Sequence, residues 1–314
     1  MELVRKLISE GKENNVDFVL ACGGGSSIDT AKAVAAGIPY DGDIWDFYEY
    51  TAAPVSALPV GVISTIPSSG SESSNASILS NGLYKCGIEY DCLIPKFAIM
   101  NPEYTRTLPA YQTSCGLADI FSHLLERYLT NTEHVDTTDY MLEGAMKALL
   151  INAARLMKDP ADLNARAEVQ MLAFIAHNGF LEMGRETDWG THRIEHELSA
   201  QYGLTHREGI AIVTVAHTTY AAKHNPHKLA QLAVRVFNDD PFDNSEEELA
   251  LSASNHLKEY FNSLGLKTSL SQLNIGDSDF DAMAKRATHN GTQTVGHYIP
   301  LDQNRFVEIL RLAI

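Results

Sequence analysis

Asp17-Phe18-Val19-Leu20-Ala21-Cys22-Gly23-Gly24-Gly25-Ser26-Ser27-Ile28-Asp29-Thr30-Ala31-Lys32 is a short apolar run followed by three glycines and the start of an alanine-rich stretch. The apolar run, residues 17–22, is bounded by turn residues and predicts a strand buried on both faces of a parallel sheet. A strand, a glycine turn and a helix in this order are typical of an α/β nucleotide-binding domain, because backbone N–H groups at the helix start can hold a phosphate. A tight turn that binds nothing is the alternative when this motif stands alone.

Two further apolar runs extend the predicted sheet. Residues 55–63 lead into a loop of small residues, 64–72, whose hydroxyl groups suit the same nucleotide. A polar surface turn explains that loop equally well when it is taken alone. Residues 95–100 form the third run. We therefore predict an α/β dinucleotide-binding domain over residues 1–107.

From Leu108 onward, helical periodicity replaces the strand-like runs. The dipeptide Leu108-Pro109 is a natural boundary, because the residue before proline disfavours a continuing helix and proline starts a new one well. Six stretches have helical spacing: Gly116 to Leu129, Met141 to Leu156, Asn164 to Met183, Thr191 to Tyr202, Ile210 to Lys223 and Glu246 to Leu264. We predict an all-α domain over residues 108–314.

The overall composition and charge argue against a protein that binds nucleic acids or membranes. Of the 314 residues, 45% are hydrophobic and 20% are charged, as in ordinary globular proteins. The 24 Lys and Arg against 40 Asp and Glu give a net charge of −16, which repels nucleic acids and anionic membrane surfaces. No window reaches the ~18 apolar residues of a membrane span, the N-terminus has no secretion signal, and no cysteines form a CxxC pair. We expect a cytoplasmic protein without a nucleic-acid or membrane partner.

The second domain contains two pairs of potential metal ligands. Asp119 and His123 are four residues apart within a predicted helix, as are His192 and His196, so each pair lies on one helix face. His206 follows His192 by 14 residues, which allows a loop to bring it to the same ion. A single histidine is more often an ordinary buried or surface residue. Two pairs and a fifth residue, all following a candidate phosphate loop, favour a metal site.

Taken together, these motifs resemble the iron-containing alcohol dehydrogenases. The motifs that carry the resemblance follow the family's order and approximate spacing: residues 23–29, Thr65-Ile66-Pro67, Gly70-Ser71-Glu72, Asp119 with His123, and His192, His196 and His206. The Asp188-Trp189 approach to His192 is most similar to the branch of NAD(P)-dependent butanol dehydrogenases and broad aldehyde reductases. The resemblance implies a dehydroquinate synthase-like architecture. It also implies interconversion of a primary alcohol and its aldehyde by hydride transfer.

The resemblance further implies roles for individual residues. The metal ligands would be Asp119, His123, His192 and His206, and His196 would lie close to the metal as a proton-relay or nicotinamide-side residue. The pyrophosphate and nicotinamide of NAD or NADP would be contacted by Gly24, Gly25, Ser26 and Asp29, and the cofactor would also be contacted by Thr65 and Ser68. Lys85 would reach the cofactor ribose, with an exposed loop lysine as the alternative. A small alcohol or aldehyde substrate and a homodimer are also implied.

The ligand set alone does not determine the metal. Three nitrogens and one oxygen suit Fe(II) or Zn(II), and the resemblance favours iron. Relatives carry roughly one more β-α-β unit before the strand at Asp17, so we expect an incomplete Rossmann-like sheet with that strand at an exposed edge. Two alternatives stay open. One is an N-terminally truncated family member that binds metal with weak or no turnover, and the other is a glycerol dehydrogenase-like enzyme with a different ligand set.

Overall fold

The computed structural model describes residues 1–314. Its strands are β1 (Val19–Gly23), β2 (Val60–Ser64), β3 (Ala76–Asn81), β4 (Tyr84–Glu89) and β5 (Phe97–Ile99). Its α-helices are α1 (Glu2–Glu13), α2 (Gly25–Gly37), α3 (Trp45–Tyr48), α4 (Ala110–Tyr128), α5 (Asp136–Lys158), α6 (Leu163–Ala176), α7 (Gly190–Tyr202), α8 (His206–His224), α9 (His227–Leu232), α10 (Glu246–Ser263), α11 (Phe280–Ala287) and α12 (Gln303–Leu312). Helix α9 continues into a π-helical turn at Ala233–Phe237.

Strands β1, β2 and β5 form a parallel sheet in the order β1-β2-β5. The three predicted strands are therefore present, and β1 lies at the sheet edge as expected. The prediction that β1 is buried on both faces is wrong, because α2 packs on one face only. Ala21 is buried against α2, whereas Leu20 is 53% exposed and Phe97 and Ile99 of β5 are each 45% exposed.

Strands β3 and β4 form an antiparallel hairpin that the sequence pattern does not predict. Its two-residue turn contains Gly82 at a φ of +60°, in the left-handed region that favours glycine. The hairpin packs against α2 on one side and against α7 on the other. It therefore brings Lys85, on β4, from the N-terminal part of the chain to the helical part.

The six predicted helices correspond to α4, α5, α6, α7, α8 and α10. Helix α6 ends at Ala176 rather than at Met183, because Gly179 has a φ of +83° and a 3₁₀ turn follows at Phe180–Glu182. Helices α3, α9, α11 and α12 are additional to the predicted set. The expected succession of an α/β part and a helical part is confirmed.

The apolar core is divided along the chain. A cluster of 57 buried hydrophobic residues lies between Cys115 and Ala313, whereas two smaller clusters lie within residues 4–93. The domain boundary that we propose at Leu108-Pro109 falls between these cores, directly before α4. None of the helices combines the length and the apolar character that a membrane span requires.

Candidate metal and cofactor site

A cleft of about 1030 Å³ separates the glycine turn and the hairpin from helices α4, α7 and α8. Gly25 and Ser26, at the start of α2, line one side of the cleft. The other side carries the predicted metal ligands and the predicted catalytic residue, namely Asp119, His123, His192, His196 and His206. The cleft volume lies at the upper end of the range for ligand and cofactor sites. It leaves room for a dinucleotide as well as a small substrate.

Three imidazoles converge on one carboxylate oxygen. Asp119 Oδ1 lies 3.9 Å from Nε2 of His123, 3.8 Å from Nε2 of His192 and 3.6 Å from Nε2 of His206. These separations are too long for hydrogen bonds. They are the separations expected of ligand atoms that surround one ion without bonding each other. Asp119, His192 and His206 each offer a ligand atom within 4.8 Å of the other two.

The burial of this cluster leaves polar atoms that a cation would satisfy. Asp119 is 1% exposed, and neither its Oδ1 nor Nε2 of His192 has a hydrogen-bond partner. Buried polar atoms without a partner are rare, because each costs free energy. Burial by itself raises the pKa of the Asp119 carboxyl, but the neighbouring imidazoles, led by His123, more than offset this and hold the pKa well below its usual range. One carboxylate facing imidazole nitrogens is a donor set that fits Fe(II) or Zn(II).

Two buried glutamates orient these imidazoles from behind, and the sequence analysis missed both. Nδ1 of His192 is hydrogen-bonded to Glu126 Oε2, and Nδ1 of His206 is hydrogen-bonded to Glu195 Oε2. Burial by itself lowers the pKa of His192, but the Glu126 carboxylate more than offsets this and raises it to about 9. A hydrogen bond from Nδ1–H to a carboxylate directs the Nε2 lone pair toward the ion. The spacing in the sequence could have indicated Glu126, because it lies two helical turns after Asp119 and therefore on the same face of α4.

Neutralising either glutamate is expected to weaken metal binding. In Glu126→Gln and in Glu195→Gln, the side-chain volume is kept while the charge that polarises the imidazole is lost, so we expect the Kd for the metal to rise about 10- to 100-fold. Calorimetric titration of the metal-free protein with Zn²⁺ measures the change. Glu143→Gln is the matched control, because Glu143 is also buried but accepts hydrogen bonds from Tyr128 and Gln231 instead of an imidazole. Equal affinities in all three variants would contradict the assignment.

Ser68 lies beneath the metal cluster. Its side chain is fully buried, and its hydroxyl donates to Oδ2 of Asp119. Ser68 does not line the cleft, so its predicted cofactor contact stays a prediction. The loop that follows β2 turns this hydroxyl toward α4, where it orients the Asp119 carboxylate and leaves Oδ1 facing the imidazoles.

Lys85 and His196 lie beside His206. Nζ of Lys85 is 3.1 Å from Glu195 Oε2 and 3.1 Å from His206 Nδ1. The ring of His196 is centred 5.7 Å from that of His206. A ring nitrogen of His196 lies within 4.8 Å of potential ligand atoms of Glu195 and His206, and Asp119 is not part of this group. Burial, reinforced by the charge of Lys85, lowers the pKa of His196 well below its usual value. His196 is therefore a neutral imidazole at pH 7.

The predicted cofactor residues at the glycine turn pack against the second loop. A Cβ at Gly25 would lie 2.4 Å from Ser69 Oγ, so a side chain there would require Ser69 to move. Asp29 Oδ1 accepts a hydrogen bond of 2.6 Å from Ser71, and burial raises the pKa of its carboxyl to about 6 despite the nearby charge of Lys32.

The other two predicted residues of this region complete the turn. Gly24 precedes the first turn of α2 in an extended conformation, and a Cβ there would lie 3.1 Å from Ile66. The Thr65 backbone N–H donates to the carbonyl of Gly23, so the ends of β1 and β2 are joined beyond the sheet. Gly25 and Ser26 line the cleft at the start of α2, and backbone N–H groups at a helix start can bind a pyrophosphate.

Comparisons with known proteins identify the family. The family model "Iron-containing alcohol dehydrogenase" matches residues 1–102, and "Fe-containing alcohol dehydrogenase family, C-terminal" matches residues 113–314. The NADH-dependent butanol dehydrogenase A of Clostridium acetobutylicum is 36% identical over 311 residues, which are 98% of this chain and 80% of that protein. The NADPH-dependent aldehyde reductase YqhD of Escherichia coli is 34% identical over 302 residues, covering 94% of this chain and 77% of that protein.

A solved structure extends the similarity to the fold. The crystal structure of NADH-dependent butanol dehydrogenase A from Thermotoga maritima superposes with a TM-score of 0.93 at 33% identity, over 99% of this chain and 79% of that chain. The chain therefore belongs to the iron-containing alcohol dehydrogenase family. The family and the fold class expected from the sequence motifs are both confirmed.

Proposed function

We propose that this protein interconverts a primary alcohol and its aldehyde by hydride transfer with NAD(P), using a divalent iron ion. Asp119, His123, His192 and His206 would hold the ion. The observation that carries the proposal is the convergence of three imidazole Nε2 atoms on one unpartnered, buried carboxylate oxygen. The butanol dehydrogenases and the aldehyde reductase described above support the reaction class.

A bound divalent ion polarises the oxygen of the substrate, and a nicotinamide accepts or delivers the hydride. The protein supplies orientation and proton handling around them. Glu126 and Glu195 keep the Nδ1 atoms of His192 and His206 protonated, so that their Nε2 atoms stay free as ligands. The hydrogen bond from Ser68 to Oδ2 of Asp119 orients the carboxylate so that its Oδ1 faces the imidazoles.

The remaining roles follow from positions along the cleft. Gly25 and Ser26 at the start of α2 would bind the pyrophosphate through their backbone N–H groups. The neutral His196 imidazole would accept the proton of an alcohol at one ring nitrogen and release one from the other. Lys85 would pair with Glu195 and contact the cofactor from the hairpin side.

The test is anaerobic reconstitution with Fe²⁺ followed by NADH or NADPH oxidation in the presence of butanal. We expect about one metal ion per chain and turnover that disappears on chelation and returns with added metal. Metal binding without oxidation of either cofactor would contradict the proposed reaction. Failure to bind any divalent metal would contradict the site itself.

We also infer that the protein is a homodimer and resides in the cytoplasm. The support is the family resemblance rather than any surface of this chain. Analytical ultracentrifugation of the iron-loaded protein tests the first inference, for which we expect a single species of about twice the chain mass. Fractionation of the source cells tests the second.

A further inference from the structure

We propose that Trp189 determines which aldehydes this protein accepts, by forming the wall that limits substrate bulk beside the three imidazoles. The proposal rests on the function proposed above and adds the substrate class to it. That class is the unbranched primary aldehyde. An aldehyde branched next to its carbonyl carbon is excluded.

The Trp189 indole lies beside the proposed metal ligands. Trp189 lines the cleft, and its ring is centred 5.2 Å from the ring of His192 and 6.0 Å from that of His123. The ring of His177, which stacks on His123, is centred 5.5 Å from the indole. A substrate oxygen held near Asp119 Oδ1 therefore places the next carbon atoms of the substrate beside the indole. Substituents on the carbon next to the carbonyl meet this wall first.

The indole is also packed against a buried side chain, as a size filter requires. The guanidinium of Arg127 lies over the ring at 4.7 Å from its centre, and Arg127 is itself buried and paired with Glu182. A cation over an aromatic face is an attractive contact, stronger when water is excluded. Arg127 therefore occupies the space into which the indole would have to move to admit a bulky substrate.

The backbone at Trp189 supports the same conclusion. Its φ is +61°, a left-handed conformation that is uncommon and strained for a bulky residue. Buried Asp188 holds the segment there, since its Oδ1 accepts hydrogen bonds from the backbone N–H groups of His297 and Tyr298. Gly190 and Gly296 allow the close packing, because a Cβ on either would lie within 2.9 Å of an Asp188 carboxylate oxygen. Strain maintained by such a specific set of contacts is typical of a functional position.

The test compares two isomeric aldehydes of equal composition, pentanal and 2,2-dimethylpropanal, which differ only in branching. In the iron-loaded protein, Trp189→Ala is expected to raise the ratio of kcat/KM for the branched aldehyde to that for the linear aldehyde at least about tenfold, since even one extra methylene in a hydrophobic pocket discriminates by roughly 10- to 200-fold. Trp189→Phe keeps a smaller aromatic ring and is expected to raise the ratio less. A folding defect lowers the amount of active enzyme but does not change this ratio.

Trp45→Phe is the matched control, because Trp45 is the other tryptophan of the chain and packs in a small core near the N-terminus. We expect its ratio to equal that of the unmodified protein. An unchanged ratio in both Trp189 variants would overturn the proposal while leaving the proposed reaction intact.

Binding of pentanamide and 2,2-dimethylpropanamide separates the two possible failures. These amides have the shapes of the aldehydes and are not reduced. If the unmodified protein turns over neither aldehyde, the proposed function fails. A preference for the linear amide that is lost in Trp189→Ala would still support the wall, whereas equal binding of both amides by the unmodified protein would overturn it.

Discussion

Replacing His192 with alanine is expected to abolish stoichiometric metal binding and to lower kcat/KM for butanal reduction by about a thousandfold or more. The Nε2 atom of His192 is 3.8 Å from Asp119 Oδ1 and has no hydrogen-bond partner, so its removal takes one ligand atom from the donor set. Loss of the ion removes several kcal/mol of charge stabilisation at the reacting oxygen, and each ~1.4 kcal/mol corresponds to a factor of ten in rate. Elemental analysis of the purified variant after exposure to Fe²⁺ measures the first effect. Initial rates with a saturating reduced cofactor measure the second.

His177→Ala is the matched control for this experiment. His177 lies in the same cleft, and its ring is centred 4.6 Å from that of His123. Its Nδ1 atom is hydrogen-bonded to the backbone carbonyl oxygen of Ser69 and is not one of the proposed ligand atoms. We expect this variant to retain the metal. His123→Ala is a second test of the ligand set, because His123 Nδ1 has no hydrogen-bond partner that the substitution would leave unpaired. Full metal occupancy in His192→Ala would show that the ligand assignment is wrong.

Replacing His196 with alanine is expected to leave the metal in place and to lower kcat about a hundredfold. Positioned acid–base groups contribute roughly 10²- to 10⁴-fold to rates. His196 lies one helical turn after His192 and lines the cleft, and its pKa is held well below its usual value, first by burial and then by Lys85. Its imidazole is therefore neutral before the reaction, so one ring nitrogen is free to accept a proton from an alcohol while the other passes one on. The measurements are metal content and kcat, followed by addition of free imidazole.

Partial rescue of His196→Ala by imidazole is expected, because a small base can enter the space left by the ring. His256→Ala serves as the control, since His256 pairs with Asp239 outside the cleft and takes no part in the proposed reaction. Loss of metal from His196→Ala would instead make His196 a ligand together with Glu195 and His206. An unchanged kcat would contradict its role in proton transfer.

The sequence predicts those parts of the fold that depend on neighbouring residues. The β1-turn-α2 unit was predicted because an apolar run, glycines and alanine-rich helix follow one another directly. The sequence does not predict the exposed face of β1, because the burial of Leu20 depends on what packs against the sheet. The β3-β4 hairpin was missed although Asn81-Gly82 is a strong turn signal. A dipeptide scan of residues 73–90 would have found it.

The candidate site shows the same division. The pairs Asp119 with His123 and His192 with His196 follow from helical spacing, which is local information. The partners that orient them come from distant segments, as Ser68 meets Asp119 across 51 positions and Glu126 meets His192 across 66. Single-sequence patterns do not report such pairings. For this reason the hydrogen bond between Ser68 and Asp119 and the position of Trp189 beside His192 come from the structure alone.

The central claim, that Asp119 and three histidines form one metal centre, is tested most directly by anomalous diffraction at the iron edge from crystals of the iron-loaded protein. We predict one strong peak in the cleft, within bonding distance of Asp119 Oδ1 and of the Nε2 atoms of His123, His192 and His206. A peak bound by Glu195 and His196, or no peak beside Asp119 in crystals that contain stoichiometric iron, would contradict the claim.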